Sequence, residues 1–172
     1  VNRKRFLALL LVVAVVAAYS ARVYAVNKGV AKEYSIESFA VGDEISLGDA
    51  VLTVEDVRFG EETEEQHGQE WIQCTVTMEL ENTSEEAISK VKAIETKLAY
   101  GRDVYQTNQG EFDINALLNM EPGKQEKIEL TYEVKAEDRQ GQGKLYIVQD
   151  LYPELVEKAY KQGKRYGMAV EF

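Results

Sequence analysis

Residues 70–81, EWIQCTVTMELE, alternate without interruption. Ile72, Cys74, Val76, Met78 and Leu80 fall on one parity, and Gln73, Thr75, Thr77, Glu79 and Glu81 on the other. Period two predicts a strand with one face in a core and the other toward water. KIELTYEV (127–134) alternates in the same way, as does RYGMAVEF (165–172). In AVLTVEDVRF (50–59) the apolar parity switches between Val54 and Val57. A one-residue bulge at Glu55-Asp56 would return Val57 and Phe59 to the core face. Gly42-Asp43, Gly48-Asp49, Gly101-Arg102-Asp103 and Glu121-Pro122-Gly123-Lys124 punctuate these runs as turns.

The intervening stretches are less regular. Tyr34, Ile36 and Phe39 mark a lead-in strand, and EISL (44–47) a short strand between two turns. Residues 60–69, GEETEEQHGQ, read as a hydrophilic loop. Residues 87–100 fit either period, and strand neighbours on both sides favour strand for 93–100. Residues 115–120 suit one helical turn or a crossing between sheets, and LYIV (145–148), continuously apolar, a buried strand. Pro153 suits the start of a short helix presenting Leu155, Val156, Ala159 and Tyr160, with Gly163 at its end. Seven to nine short strands with such turns predict an all-β, immunoglobulin-like two-sheet antiparallel sandwich over residues 40–172.

The N-terminus has another character. Arg3, Lys4 and Arg5 precede sixteen apolar or small residues, Phe6–Ala21. Val1 reads as the product of a non-AUG start. Sixteen helical residues rise about 24 Å, a little short of a hydrocarbon core of roughly 30 Å. Arg22 can snorkel, and Tyr19 and Tyr24 suit the interface, so a span over 6–26 is feasible. Residues 1–26 are therefore either a transmembrane anchor or a cleaved signal peptide, with the anchor favoured by length. Both leave the acidic domain outside the cell, in a single-pass membrane protein or a secreted one. Residues 27–39 are a linker and the lead-in strand.

Charge narrows the partners. Residues 1–26 carry four basic residues and no acid, leaving 16 basic and 30 acidic residues in 27–172, a net charge of −14. Such a domain repels phosphate backbones, which argues against nucleic acid and, unless cations intervene, against anionic lipid or wall polymer. One cysteine, Cys74, excludes an internal disulfide, and its core parity suggests an inert thiol.

Candidate chemistry is sparse. His67, the only histidine, lies among Glu61, Glu62, Glu64 and Glu65, a set that could hold a hard cation but lacks EF-hand spacing. No GxSxG, SxxK or HExxH occurs. A carboxylate pair such as Asp49 and Asp56 is the remaining hydrolytic arrangement. No catalytic residue, metal or cofactor is expected. Trp71, the only tryptophan, heads the long strand on its polar parity; with His67 and Tyr105 it is the candidate ligand or partner contact. Tyr100, Tyr146, Tyr152, Tyr160 and Tyr166 either extend that surface or pack across strands. Asn82-Thr83-Ser84 matches a glycosylation acceptor but reads as a turn.

The order VGDEISLGDAVLTVEDVRF, WIQCTVTMELENTSEE, MEPGKQEKIELTYEV resembles the telokin-like, immunoglobulin-type extracellular domains of unknown function found in small membrane-anchored proteins and lipoproteins of Gram-positive bacteria. The resemblance covers about residues 40–150. It implies a sandwich outside the membrane and no activity. The expected role is a non-enzymatic, envelope-associated interaction module with an unknown protein or cell-wall partner. Two alternatives are an accessory subunit pairing through Ala14, Ala17, Ala18 and Ala21 of the apolar helix, and a metal-dependent hydrolase.

Overall fold

The computed structural model describes residues 3–172, with the backbone alone at 62–64; Val1 lies outside the described residues. Helix α1 spans Arg3–Asn27, is exposed throughout, and is long and apolar enough to cross a membrane. At 25 residues it is about 37 Å long, longer than the hydrocarbon core.

Among the described residues ten strands follow, in two five-stranded sheets. Strands β1 (Glu33–Ala40), β10 (Lys164–Glu171), β9 (Gly143–Ile147), β5 (Lys97–Tyr100) and β6 (Asp103–Tyr105) form one sheet, in that order. Strands β2 (Glu44–Ser46), β3 (Ala50–Gln66), β4 (Gln69–Asn82), β8 (Gln125–Lys135) and β7 (Gly110–Glu111) form the other. The result is the expected two-sheet sandwich. All pairings are antiparallel except β1 with β10, which run parallel from Glu33↔Lys164 to Ala40↔Glu171. Parallel neighbours need a long crossover, and here almost the whole domain lies between them.

The core forms where the two inner faces meet. The even face of β4 is buried from Ile72 to Leu80 and packs with Leu52, Val54, Leu130 and Tyr132 of its own sheet and Leu98, Leu145 and Val170 of the other. The bulge falls where the parity switch requires it: Val54 pairs with Met78 and Asp56 with Thr77, so Val57 and Phe59 rejoin the inner face. One polar pin crosses this core, the Tyr132 hydroxyl donating to the Thr96 carbonyl at 3.0 Å.

Several expectations need correction. Residues 60–69 are not a loop. Strands β3 and β4 continue as a ribbon to Gln66↔Gln69, after a second irregularity between Phe59 and Thr63. Glutamates have weak strand preference, which hid the ribbon, but the ladder to β4 overrides it. Residues 91–95 form a 3₁₀ turn, so β5 begins only at Lys97. In β9, Tyr146 is half-buried and burial alternates. Tyr34 and Ile36 belong to an edge strand and face outward, while Phe39 reaches the core. Nor is the approach to β1 a loose tether: Ala31 is buried, and the Lys32 and Glu33 N–H groups donate to the Gly163 carbonyl.

Helix α2 (Ile114–Leu118) is the expected single turn, capped by Asp113, whose carboxylate accepts from the Asn115 and Ala116 N–H groups. Helix α3 (Pro153–Lys161) begins at its proline and stops before Gly163, where φ is +81°.

Candidate functional site

The two ends of the sandwich differ. β10 runs from Lys164, beside the Gly163–Lys32 contact, to Glu171, and the following Phe172 exchanges backbone hydrogen bonds with Gly143. Eight residues separate these ends, about 27 Å of strand. The first end adjoins α1. The second carries the β3–β4 ribbon and the 3₁₀ turn 136–140 that enters β9.

Trp71 and Tyr105 meet at this second end. Trp71 on β4 lies opposite Lys135 on β8, and its ring stands edge-on to Tyr105 of β6, with centroids 6.5 Å apart and planes at 90°. This pair joins the two sheets at their rim, an arrangement aromatic quadrupoles favour. The Tyr105 hydroxyl donates to Asp138 Oδ2 at 2.6 Å and accepts from the Lys135 N–H at 3.4 Å. Lys135 Nζ reaches Asp103 Oδ2 at 2.6 Å. Burial, then the Asp138 carboxylate, push the Tyr105 hydroxyl well above the usual phenol range. It is a fixed donor, not an acid or base at neutral pH. All five side chains are partly exposed.

His67 does not join them. It occupies the tip of the ribbon, where His67 (φ +54°) and Gly68 (φ +77°) make a two-residue turn with positive φ at both positions, as in type I′. Four residues of strand separate it from Trp71, about 13 Å. Among the described residues no cluster of His, Cys, Asp and Glu is suited to a metal; the side chains of Glu62 and Glu64 lie outside that description. Asp49 and Asp56 do not act together either: Asp49 holds Lys90 at 2.6 Å, and Asp56 faces Arg58 at 3.8 Å.

The remaining reactive groups are quiet. Cys74 is fully buried, and desolvation pushes its thiol up to about 11. Its neighbour Tyr100 is also buried and raised, chiefly by desolvation. Tyr132 is pushed up to about 12 for the same reason. Asn82 is fully buried, its amide donating to the Glu86 and Met120 carbonyls and its oxygen accepting from Ser84. It therefore pins a turn and is not presented for glycosylation.

A second surface was only partly anticipated. Beyond Ile147 and Met168 strands β9 and β10 separate, and the Tyr152 hydroxyl fills the gap in the ladder. A cleft of about 490 Å³ opens there, lined by Tyr34, Ile36, Tyr146, Asp150 and Arg165 among others. Sequence offered Tyr146 and Tyr166 as surface aromatics. It could not show Tyr34 and Arg165 side by side, because that depends on the parallel register of β1 with β10.

No protein-family model matches the chain, and no curated protein matches it. Among solved structures, the chain is similar to an uncharacterized beta-sandwich protein from Clostridium difficile 630, with 10% identity and a TM-score of 0.52 over 82% of this chain and 97% of that one. It also matches a conserved hypothetical protein from Bacillus anthracis (14% identity, TM-score 0.45, 64% of this chain and 88% of that one). A functionally unknown protein from Listeria monocytogenes EGD-e matches at 11% identity and a TM-score of 0.47, over 67% and 74% of the two chains. The first of these likenesses is one of fold.

Proposed function

We propose that this chain is a membrane-anchored interaction module of the telokin-like, immunoglobulin type, and that it presents the Trp71–Tyr105 rim to a protein or cell-wall partner outside the cell. The observation that carries this reading is position. The half-exposed aromatic pair sits at the end of the sandwich opposite the anchor, on a rigid joint between both sheets. Edge-to-face aromatics with fixed polar neighbours suit a contact surface, since they offer area at little entropic cost. Helix α1 acts as the anchor over 6–26, with Arg3, Lys4 and Arg5 holding its start in the cytoplasm. Residues 27–32 connect it to the sandwich, and His67 at the ribbon tip flanks the contact.

The test is comparative capture. Full-length wild-type and Trp71→Ala chains are used as bait in solubilised native envelope, with Tyr34→Ala as a control at the far end. A component captured by wild type and Tyr34→Ala but lost with Trp71→Ala supports the reading. Equal capture by all three overturns the role of the rim.

A further inference from the structure

The acidity of the domain is not spread evenly over its surface. Six of its basic residues, Lys28, Lys32, Lys158, Lys161, Lys164 and Arg165, lie in the two segments that meet at the anchor end, 28–33 and 158–165. Those segments contain one acid, Glu33. The other residues of 27–172 hold 10 basic and 29 acidic side chains. All six basic residues are exposed. The backbone contact of Lys32 with Gly163 and the pairing Glu33↔Lys164 make the segments one surface. Glu157, on the preceding turn of α3, pairs with Lys161 at 2.6 Å and offsets one charge.

Two exposed tyrosines accompany the lysines. Tyr34 is 74% exposed and Tyr160 47%. Tyr34 is held in place, with the Arg165 guanidinium 5.3 Å from its ring centroid and Arg165 Nη1 donating to its hydroxyl at 2.7 Å. Arg165 Nε also donates to the Ala31 carbonyl at 3.1 Å. Lys and Arg beside exposed tyrosine are the side chains that settle at the headgroup layer of a bilayer.

Chain length puts this surface there. Helix α1 ends at Asn27, and Ala31 is already buried in the domain. Four residues span at most about 14 Å. If α1 crosses the membrane, the basic end lies within roughly a Debye length or two of the headgroups. We infer that this end of the sandwich docks on anionic phospholipid headgroups of the leaflet from which α1 emerges, holding the domain upright with the Trp71 rim and its acidic ribbon pointing away. The inference rests on α1 being retained as an anchor. The repulsion expected from the net charge is met locally: the basic face formed by 28–32 and 158–165 is drawn to the surface, and the acidic ribbon at the far end is pushed off it.

The experiment uses the full-length chain in nanodiscs of phosphatidylcholine alone or of phosphatidylcholine with phosphatidylglycerol, read by hydrogen–deuterium exchange. The expected result is exchange slowed about fivefold or more across 28–32 and 158–163 in the anionic discs only. That protection disappears at about 0.5 M salt and in a Lys158→Gln/Lys161→Gln/Lys164→Gln variant. Equal exchange in both lipids, with the chain firmly inserted, overturns the docking and leaves the anchor intact. A chain that an alkaline wash strips from both discs overturns the anchor reading, and the docking with it.

Discussion

The Lys90 ammonium lies 2.6 Å from the Asp49 carboxylate and 2.9 Å from the Leu151 carbonyl. Its side chain is only 5% exposed, whereas that of Asp49 is 43% exposed. Asp49 belongs to the turn between β2 and β3, and Lys90 leads into the 3₁₀ turn before β5. The pair therefore staples the connection between the two sheets. Asp49→Asn should destabilise the domain by about 2 kcal/mol, because it leaves a buried cation with a weakened partner. Lys90→Met, which removes the buried charge itself, should cost less. Urea denaturation of the two variants checks the order, and a larger loss for Lys90→Met would contradict it.

Tyr152 occupies the backbone ladder like an extra residue. Its hydroxyl accepts from the Met168 N–H at 3.1 Å and donates to the Ile147 carbonyl at 3.0 Å. Tyr152→Phe keeps the ring against Tyr166 but removes the hydroxyl that serves both backbone groups at the end of the β9–β10 ladder. A loss of about 1–3 kcal/mol is expected, seen as a lower thermal midpoint. Amide exchange at Met168 should quicken more than at Val170.

The ribbon tip contains a strained histidine. A β-carbon in the left-handed region at φ +54° is tolerated best in Asn or removed in Gly. His67→Asn should be neutral or stabilising by a few tenths of a kcal/mol, while His67→Val should cost about 1 kcal/mol. Just below the tip, Glu65 faces Glu70 across the ladder. Like charges opposite each other repel, so Glu70→Lys should tighten the ribbon. Exchange rates of the 64–71 amides report both effects.

Cys74 sets an alkaline limit. Its thiol stays protonated in the folded chain up to about 11, against a usual value of 9.0. Between those values the unfolded chain loses this proton and the folded chain does not, so stability falls as pH rises through that window and is unaffected below it. Cys74→Ala should be less stable at neutral pH by roughly 1–2 kcal/mol, from the lost packing. Its decline from pH 9 to 11 should be shallower than that of wild type. Chemical denaturation at stepped pH separates the two terms. Thiol reagents at pH 8 should react with the wild type only as fast as it opens.

What could be read in the chain, and what could not, follows from the range of the interactions involved. The β4 face and the bulge at Glu55 were legible because parity is local: a switch from Val54 to Val57 must be absorbed within the strand. The turn at Gly101 is equally local. The 60–69 ribbon was hidden because its glutamates have poor strand propensity and are paired through the register already set by β4. The split of 91–100 into a 3₁₀ turn and a short strand turns on where Ala93 and Thr96 become buried, which is a tertiary matter. The rim was half legible. Trp71 stood out on a polar face, but its partnership with Tyr105 is made across two sheets, and His67, adjacent in sequence, is carried away by the extended backbone.

The parallel pairing of β1 with β10 makes the fold sensitive to its own completion. Glu33 waits for Lys164, and sheet order places β10 between β1 and β9. Until residues 164–171 have emerged, β1 has no neighbour and the ladder of β9 is open on one side. During synthesis α1 and β1 therefore emerge long before the sheet closes. Contacts this distant in sequence also make closure slow. A chain clipped just before residue 164 keeps α1 and β1 but loses the strand that joins β1 to the rest, which exposes two sheet edges for degradation or aggregation. Loss of residues 164–172 should thus act as an all-or-none disposal signal for the whole domain.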